Sequence, residues 1–254
     1  MPVQPVFSLS SLASLTTFPG DPRSQYPGNA SYFHFKSETA AQDAEENFSL
    51  FPGFLQAEEG KKVEKIALRK LKRSVGLGYE EGHFDGRIHG YRECSVSHWP
   101  VGPQEEDFIQ GILHRMTDHF DPKVKWLSPH ILELKEGGGI DFHVDNHESS
   151  GGILVGLSLV STCVMHLRHR EDHERAFSVL LPPNSLYIQR GACRYVYEHA
   201  IPADGPSRTW ANESIPPARR ISLMMRDAPG SILDDPKGMY KSSGNSSTMP
   251  IQQE

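Results

Sequence analysis

The chain has 254 residues, 37% of them hydrophobic and 23% charged, with a formal net charge of −6. That length suits one large domain with polar ends, the negative balance gives no general pull toward nucleic acid or an anionic membrane, and no apolar run is long enough to span a bilayer. Cys94, Cys163 and Cys193 are odd in number and form no Cys-x-x-Cys pair, which points to a reduced compartment and away from structural zinc.

Residues 1–36 are rich in Ser, Pro, Phe and Leu, with only Asp21, Arg23 and Lys36 charged. They lack the positive start and continuous apolar stretch of a secretory signal. The scarcity of acids fits a mitochondrial presequence and the scarcity of arginine does not, so a tail with no address stands beside it. Residues 37–47 (SETAAQDAEEN) read as an acidic connector with little to bury. The expected partition is a disordered or targeting segment over 1–46, a folded domain over 47–227 and a disordered tail over 228–254.

Val63, Ile66, Ala67 and Leu71 recur at helical spacing among lysines and arginines, predicting an amphipathic helix over about 56–73. Phe108, Ile109, Ile112, Leu113, Met116 and Phe120 predict a second over about 104–120, ended by Asp121-Pro122. From about residue 129 the period becomes that of strands: ILELK, IDFHV, ILVGLSLV, CVMHLRH, AFSVLL, SLYIQR, CRYVYEH and RISLMMR. Gly137-Gly138-Gly139 reads as a turn between the first two, and RHREDHER (168–175) as a solvated hairpin tip. Two helices followed by eight short strands imply a mainly β fold with flanking helices, closed as an antiparallel jelly-roll.

Three His-x-Asp triplets occur: His83-Phe84-Asp85, His119-Phe120-Asp121 and His143-Val144-Asp145. The second ends a helix and the first lies in an irregular segment. The third opens the strand region and is followed by a strand histidine, His199. Residues two apart in a strand share a face, so His143 and Asp145 point the same way and His199 can join them from another strand. Two imidazoles and a carboxylate on one face of a metal are the ligand set of non-haem Fe(II) oxygenases. The first triplet remains the rival position.

Arg220 is the sole arginine with another arginine, Arg226, six positions on. Even spacing puts both on one strand face, where guanidinium forks suit a dicarboxylate such as 2-oxoglutarate. Surface ion pairing is the alternative, and burial without a partner would be costly. Tyr187 can donate its hydroxyl to the same distal carboxylate or serve as a core aromatic.

The segments HVD (143–145), RYVYEHAI with His199 and RRISLMMR with Arg220 and Arg226 resemble the AlkB-like Fe(II)/2-oxoglutarate dioxygenases over residues 47–227. HFDGRIHGYRE (83–93), GLSLVS (156–161) and LYIQRGACRY (186–195) are similar to the mitochondrial branch linked in animals to programmed necrosis and fatty-acid metabolism. The resemblance implies a double-stranded β-helix, Fe(II) at the catalytic His143, Asp145 and His199, 2-oxoglutarate at Arg220 and Arg226, and O₂ as oxidant. It implies a mitochondrial location, with cytoplasm or nucleus as alternatives. Nucleic-acid demethylases of this type carry Asn and Tyr where this chain has Leu132 and Leu134, and Tyr187 is expected to compensate. Residues 79–107, where a nucleic-acid lid would lie, hold seven acids and two arginines, a lip that repels phosphate. The expected substrate is therefore a protein or small metabolite. The alternatives are a DNA or tRNA demethylase and a non-catalytic module that binds iron and 2-oxoglutarate.

Overall fold

Two amphipathic helices and a run of strands buried on both sides dictate the architecture. The computed structural model describes residues 32–203 and 208–231. In chain order its elements are β1 (Phe33–Phe35), α1 (Glu38–Asn47), β2 (Phe48–Phe51), α2 (Ala57–Val75), β3 (Ile88–Ser95), α3 (Pro103–Thr117), β4 (His130–His143) and β5 (Ile153–Leu159). They continue with β6 (Cys163–His169), β7 (Ala176–Leu181), β8 (Ser185–Arg190), α4 (Gly191–Tyr195), β9 (Tyr197–Ile201), β10 (Thr209–Trp210), β11 (Glu213–Ser214) and β12 (Arg220–Arg226). Among the described residues no helix is long and apolar enough to cross a membrane.

Ten strands form one antiparallel sheet in the order β1-β7-β6-β9-β4-β12-β5-β8-β2, with β3 also on β4, while β10 and β11 pair separately. β4 ties the roll together. Its first half pairs with β12, Leu134 opposite Arg220, and its end pairs with β9, His143 opposite His199. The middle strands have two buried faces, which is why they read as near-continuous apolar runs. On β12, Ile221, Leu223 and Met225 pack with Val63, Ile66 and Ile109 of α2 and α3. The alternate residues Arg220, Ser222, Met224 and Arg226 line a pocket inside the roll.

Several expectations are corrected by this arrangement. Residues 37–47 are not a connector. Ser37 caps α1 by accepting from the Ala40 amide, and Ala40 and Ala44 are buried on one side of the helix. Asp43 accepts from Arg175 Nη2 at 2.7 Å and from the Tyr197 hydroxyl at 2.6 Å, so an acidic side chain anchors the segment. The expected strands 131–135 and 140–144 are one strand, β4. The triple glycine does not break it: a Cβ at Gly138 would sit 2.6 Å from the Gly90 carbonyl oxygen, so glycine lets β3 approach. CRYVYEH is not one strand either, since 191–195 turns as α4 before β9 begins. β1, β2 and β3 add strands that the expected eight omitted. The readings of residues 1–31 and of the tail from 232 lie outside the described residues.

Glu133 of β4 is fully buried on the helix side. It accepts from Arg219 Nη1 at 2.9 Å and from Arg92 Nε, and Arg219 also donates to Glu64 of α2. Removing Glu133 leaves the buried Arg92 guanidinium without its counter-charge, while Arg219 keeps Glu64. Glu133→Ala, which leaves the Arg92 charge buried and unpaired, is expected to destabilise the fold by about 3–5 kcal/mol in urea denaturation.

Candidate metal and co-substrate site

Parity along β4 explains why His143 faces inward. Leu132, Leu134 and Ile140 line the interior at even positions, and the register of β4 against β9 shifts between Ile140 and His143. That irregularity carries the odd-numbered His143 onto the inner side, the re-aiming for which β-bulges are used. His143 then lies opposite His199, with ring centroids 4.3 Å apart. Asp145 Oδ1 is 3.3 Å from His143 Nε2 and 3.8 Å from His199 Nε2. One donor atom from each of the three residues lies within 4.8 Å of the others. His143 Nδ1 faces the Asp141 carbonyl at 2.9 Å, so the ring hydrogen belongs there and the Nε2 lone pair is left for a metal.

The other carboxylate oxygen, Asp145 Oδ2, accepts from Arg226 Nε at 3.0 Å. Burial opposes the charge on Asp145, but Arg226 and the two imidazoles outweigh it and hold the carboxyl well below the usual range. Burial also works against a charged His143, and the Asp145 carboxylate outweighs it, so that pKa is raised. Burial, reinforced by His143 alongside, pushes His199 down to about 3. Of the two imidazoles, His143 is therefore the one that holds an added proton more tightly.

Deeper in the pocket, Arg220 is 3% exposed, and its Nε and Nη2 have no hydrogen-bond partner. Its remaining contacts include the Tyr187 hydroxyl and Cys163. Tyr187 reaches it across Gly156, where a Cβ would stand 2.2 Å from the phenol ring. A buried guanidinium with two idle donors is costly unless an anion completes it, so the residues fit a carboxylate ligand. The two-imidazole, one-carboxylate donor set equally fits a divalent ion with open positions.

Five sequence-read residues therefore meet around one pocket: His143, Asp145, His199, Arg220 and Arg226, with Tyr187 on the same wall. The rival triplet does not join them as a ligand set: His83 Nδ1 bonds Asp85 at 2.8 Å. Glu93, His130 and Gln189 also line the pocket and were missed. Gln189 lies two residues from Tyr187 and could have been found by alternation along β8. Glu93 could not, because β3 was not recognised.

The profile of the 2OG-Fe(II) oxygenase superfamily matches residues 131–226. The mouse protein named alpha-ketoglutarate-dependent dioxygenase alkB homolog 7, mitochondrial, is 39% identical over 180 residues, 70% of this chain and 77% of that one. The Bos taurus protein of the same name is 37% identical over the same shares. The solved Trichoplax adhaerens prolyl hydroxylase, in complex with a hypoxia inducible factor peptide, has a TM-score of 0.50 at 13% identity. That match covers 75% of this chain and 87% of the hydroxylase, and at that identity it speaks for the shared jelly-roll fold alone.

A metal entering the triad must displace the His143 proton, while His199 is already neutral above about pH 3. Calorimetric Mn(II) affinity is therefore expected to fall roughly tenfold per pH unit below the raised His143 pKa, and a slope near two protons would contradict this arrangement.

Proposed function

Because this chain belongs to the AlkB-like 2-oxoglutarate/Fe(II) dioxygenases, we propose a division of labour among its pocket residues. It is an oxidoreductase that uses Fe(II), 2-oxoglutarate and O₂. When bound, iron and 2-oxoglutarate supply the oxidising chemistry: the keto acid loses CO₂ to become succinate as O₂ is consumed, and a substrate C–H bond is oxidised.

In this reading His143, Asp145 and His199 hold the metal by one face and leave the other open. Arg220 anchors the distal carboxylate of 2-oxoglutarate, and Tyr187 donates to the same group in place of the polar side chains absent at Leu132 and Leu134. Arg226, already on Asp145, lies where it can also steady the carboxylate nearer the metal. The carrying observation is the pair of idle, buried Arg220 nitrogens in the pocket that holds the triad. Apolar Leu132, Ile140 and Met224 exclude bulk water around them.

A protein or small-metabolite substrate is favoured by the charge at the pocket mouth. Glu93 lines it. Burial opposes its ionisation, but His130 Nε2 at 2.9 Å and the field of His83 outweigh burial and keep it ionised. Asp85 is also held ionised, despite burial, by the Arg87 amide and His83, and its charge is felt by His143. A phosphodiester approaching the metal would meet both carboxylates. One observation favours the demethylase reading instead: the Phe84 ring, between His83 and Asp85, is 94% exposed and could stack on a base. The names of the mouse and bovine relatives place those proteins in mitochondria, and a mitochondrial location is the reading for this chain. A role in programmed necrosis or fatty-acid metabolism is the physiological setting we propose with it.

Purified protein given Fe(II), 2-oxoglutarate and O₂ is expected to release succinate, and His143→Ala to abolish that release; an unaltered rate in that variant would overturn the ligand assignment. Arg220→Leu is expected to raise the KM for 2-oxoglutarate roughly tenfold or more while Mn(II) affinity stays near wild type, since a charge-assisted two-pronged contact is lost. Binding of single-stranded RNA that steepens sharply as salt falls would favour the demethylase over the protein or metabolite substrate.

A further inference from the structure

Asp145 lies two residues beyond the end of β4, where no ladder bond fixes the backbone. Its carboxylate is gripped by Arg226, yet the proposed function gives that guanidinium a second carboxylate to serve. Something else must hold the chain. Arg194 of α4 is 3% exposed and sits against the turn that follows the ligand. Its Nη1 donates to the Asp145 carbonyl at 3.0 Å. Its Nη2 faces the Asn146 carbonyl at 3.2 Å, the Ser150 carbonyl at 3.3 Å and Ser150 Oγ at 2.9 Å. Four acceptors across six residues are thus gathered by one planar fork, a geometry that a lysine ammonium cannot reproduce.

The far end of the same turn is pinned separately. Asp227 Oδ1 accepts from the Ile153 amide, and the Asp227 carbonyl accepts from Gly151, both at 2.8 Å. Between β4 and the Asp227 anchor, Arg194 is the side chain that ties the backbone carbonyls of Asp145, Asn146 and Ser150 together.

We propose that Arg194 is a positioning residue, a guanidinium clasp that presets Asp145 for metal binding through the backbone and independently of Arg226. The inference rests on reading His143, Asp145 and His199 as metal ligands. A purely electrostatic role would give the opposite sign. A buried cation beside a metal site repels the metal, so deleting a mere charge would tighten metal binding. Deleting a clasp loosens it, as loss of groups that orient ligands commonly does.

The test is calorimetric Mn(II) binding to the full chain without 2-oxoglutarate or O₂, with Co(II) absorption spectra and thermal melts alongside. Arg194→Lys and Arg194→Met are both expected to weaken Mn(II) binding roughly tenfold and to alter the Co(II) spectrum. Ser150→Ala, which removes one of the four contacts, is expected to weaken it about threefold with an unchanged melt. Wild-type affinity in Arg194→Lys, or tighter binding in Arg194→Met, would overturn the clasp while leaving the triad intact. Should the Arg194 variants not fold, Ser150→Ala decides: unchanged affinity there also overturns it. Wild-type protein that binds no Mn(II), or a His143→Ala variant that binds it equally well, would instead sink the ligand reading itself.

Discussion

The Asp145 carboxylate is the joint on which the site turns. One oxygen faces two imidazoles and the other is held by Arg226. Without that negative charge, two histidines with centroids 4.3 Å apart would crowd against a buried guanidinium with nothing to balance it. With it, His143 gains proton affinity, His199 stays neutral, and both Nε2 atoms face one carboxylate oxygen. The same carboxylate links the end of β4 to the end of β12, so the metal-facing and anion-facing parts of the pocket are one electrostatic unit. The oxygen facing the imidazoles is the one a metal would take, and the oxygen on Arg226 keeps its grip meanwhile.

That unit depends on a packed wall behind it. The odd-numbered residues of β5 and β12 are buried against α2 and α3, and the even-numbered residues of β12 form the pocket. Strand pairing alone would leave Arg220 and Arg226 free to choose solvent. Burial of Ile221, Leu223 and Met225 fixes which way the strand faces, because a slip of one residue would exchange the two sides. Arg220 is therefore held inside by its apolar neighbours, and its idle donors are a consequence of their packing.

The mainly β fold and the pair Arg220 and Arg226 were legible because strand chemistry has a period of two. His143, Asp145 and His199 were legible from what two imidazoles and a carboxylate do, since the register shift before His143 and the position of Asp145 beyond the end of the strand both break that period. β3 carries Gly90 and Arg92 on one face and Glu93 on the other, so neither face reads as apolar; its Arg92 answers Glu133 of β4, 41 residues on in the chain. The helix α1 reads as a connector because an acid-rich segment is expected to face water, whereas Asp43 faces Arg175 and Tyr197. The irregularity before His143 and the short turn of α4 are both local departures from regular period. The second hid Arg194, which an extended reading of CRYVYEH would send elsewhere.

β4 is fourteen residues long and has two tenants. Near its start Glu133 is locked to α2 through arginines; at its end stands His143. The strand is a beam, interrupted by Gly137-Gly138-Gly139 and by the register shift before His143, that joins the scaffold to the chemistry. Harm done at the helix side would arrive at the metal as misalignment, even though nothing within the pocket had been replaced. Natural variants that silence this protein are therefore to be sought along the whole beam, and sorting them by distance from the metal would misfile those that act through it.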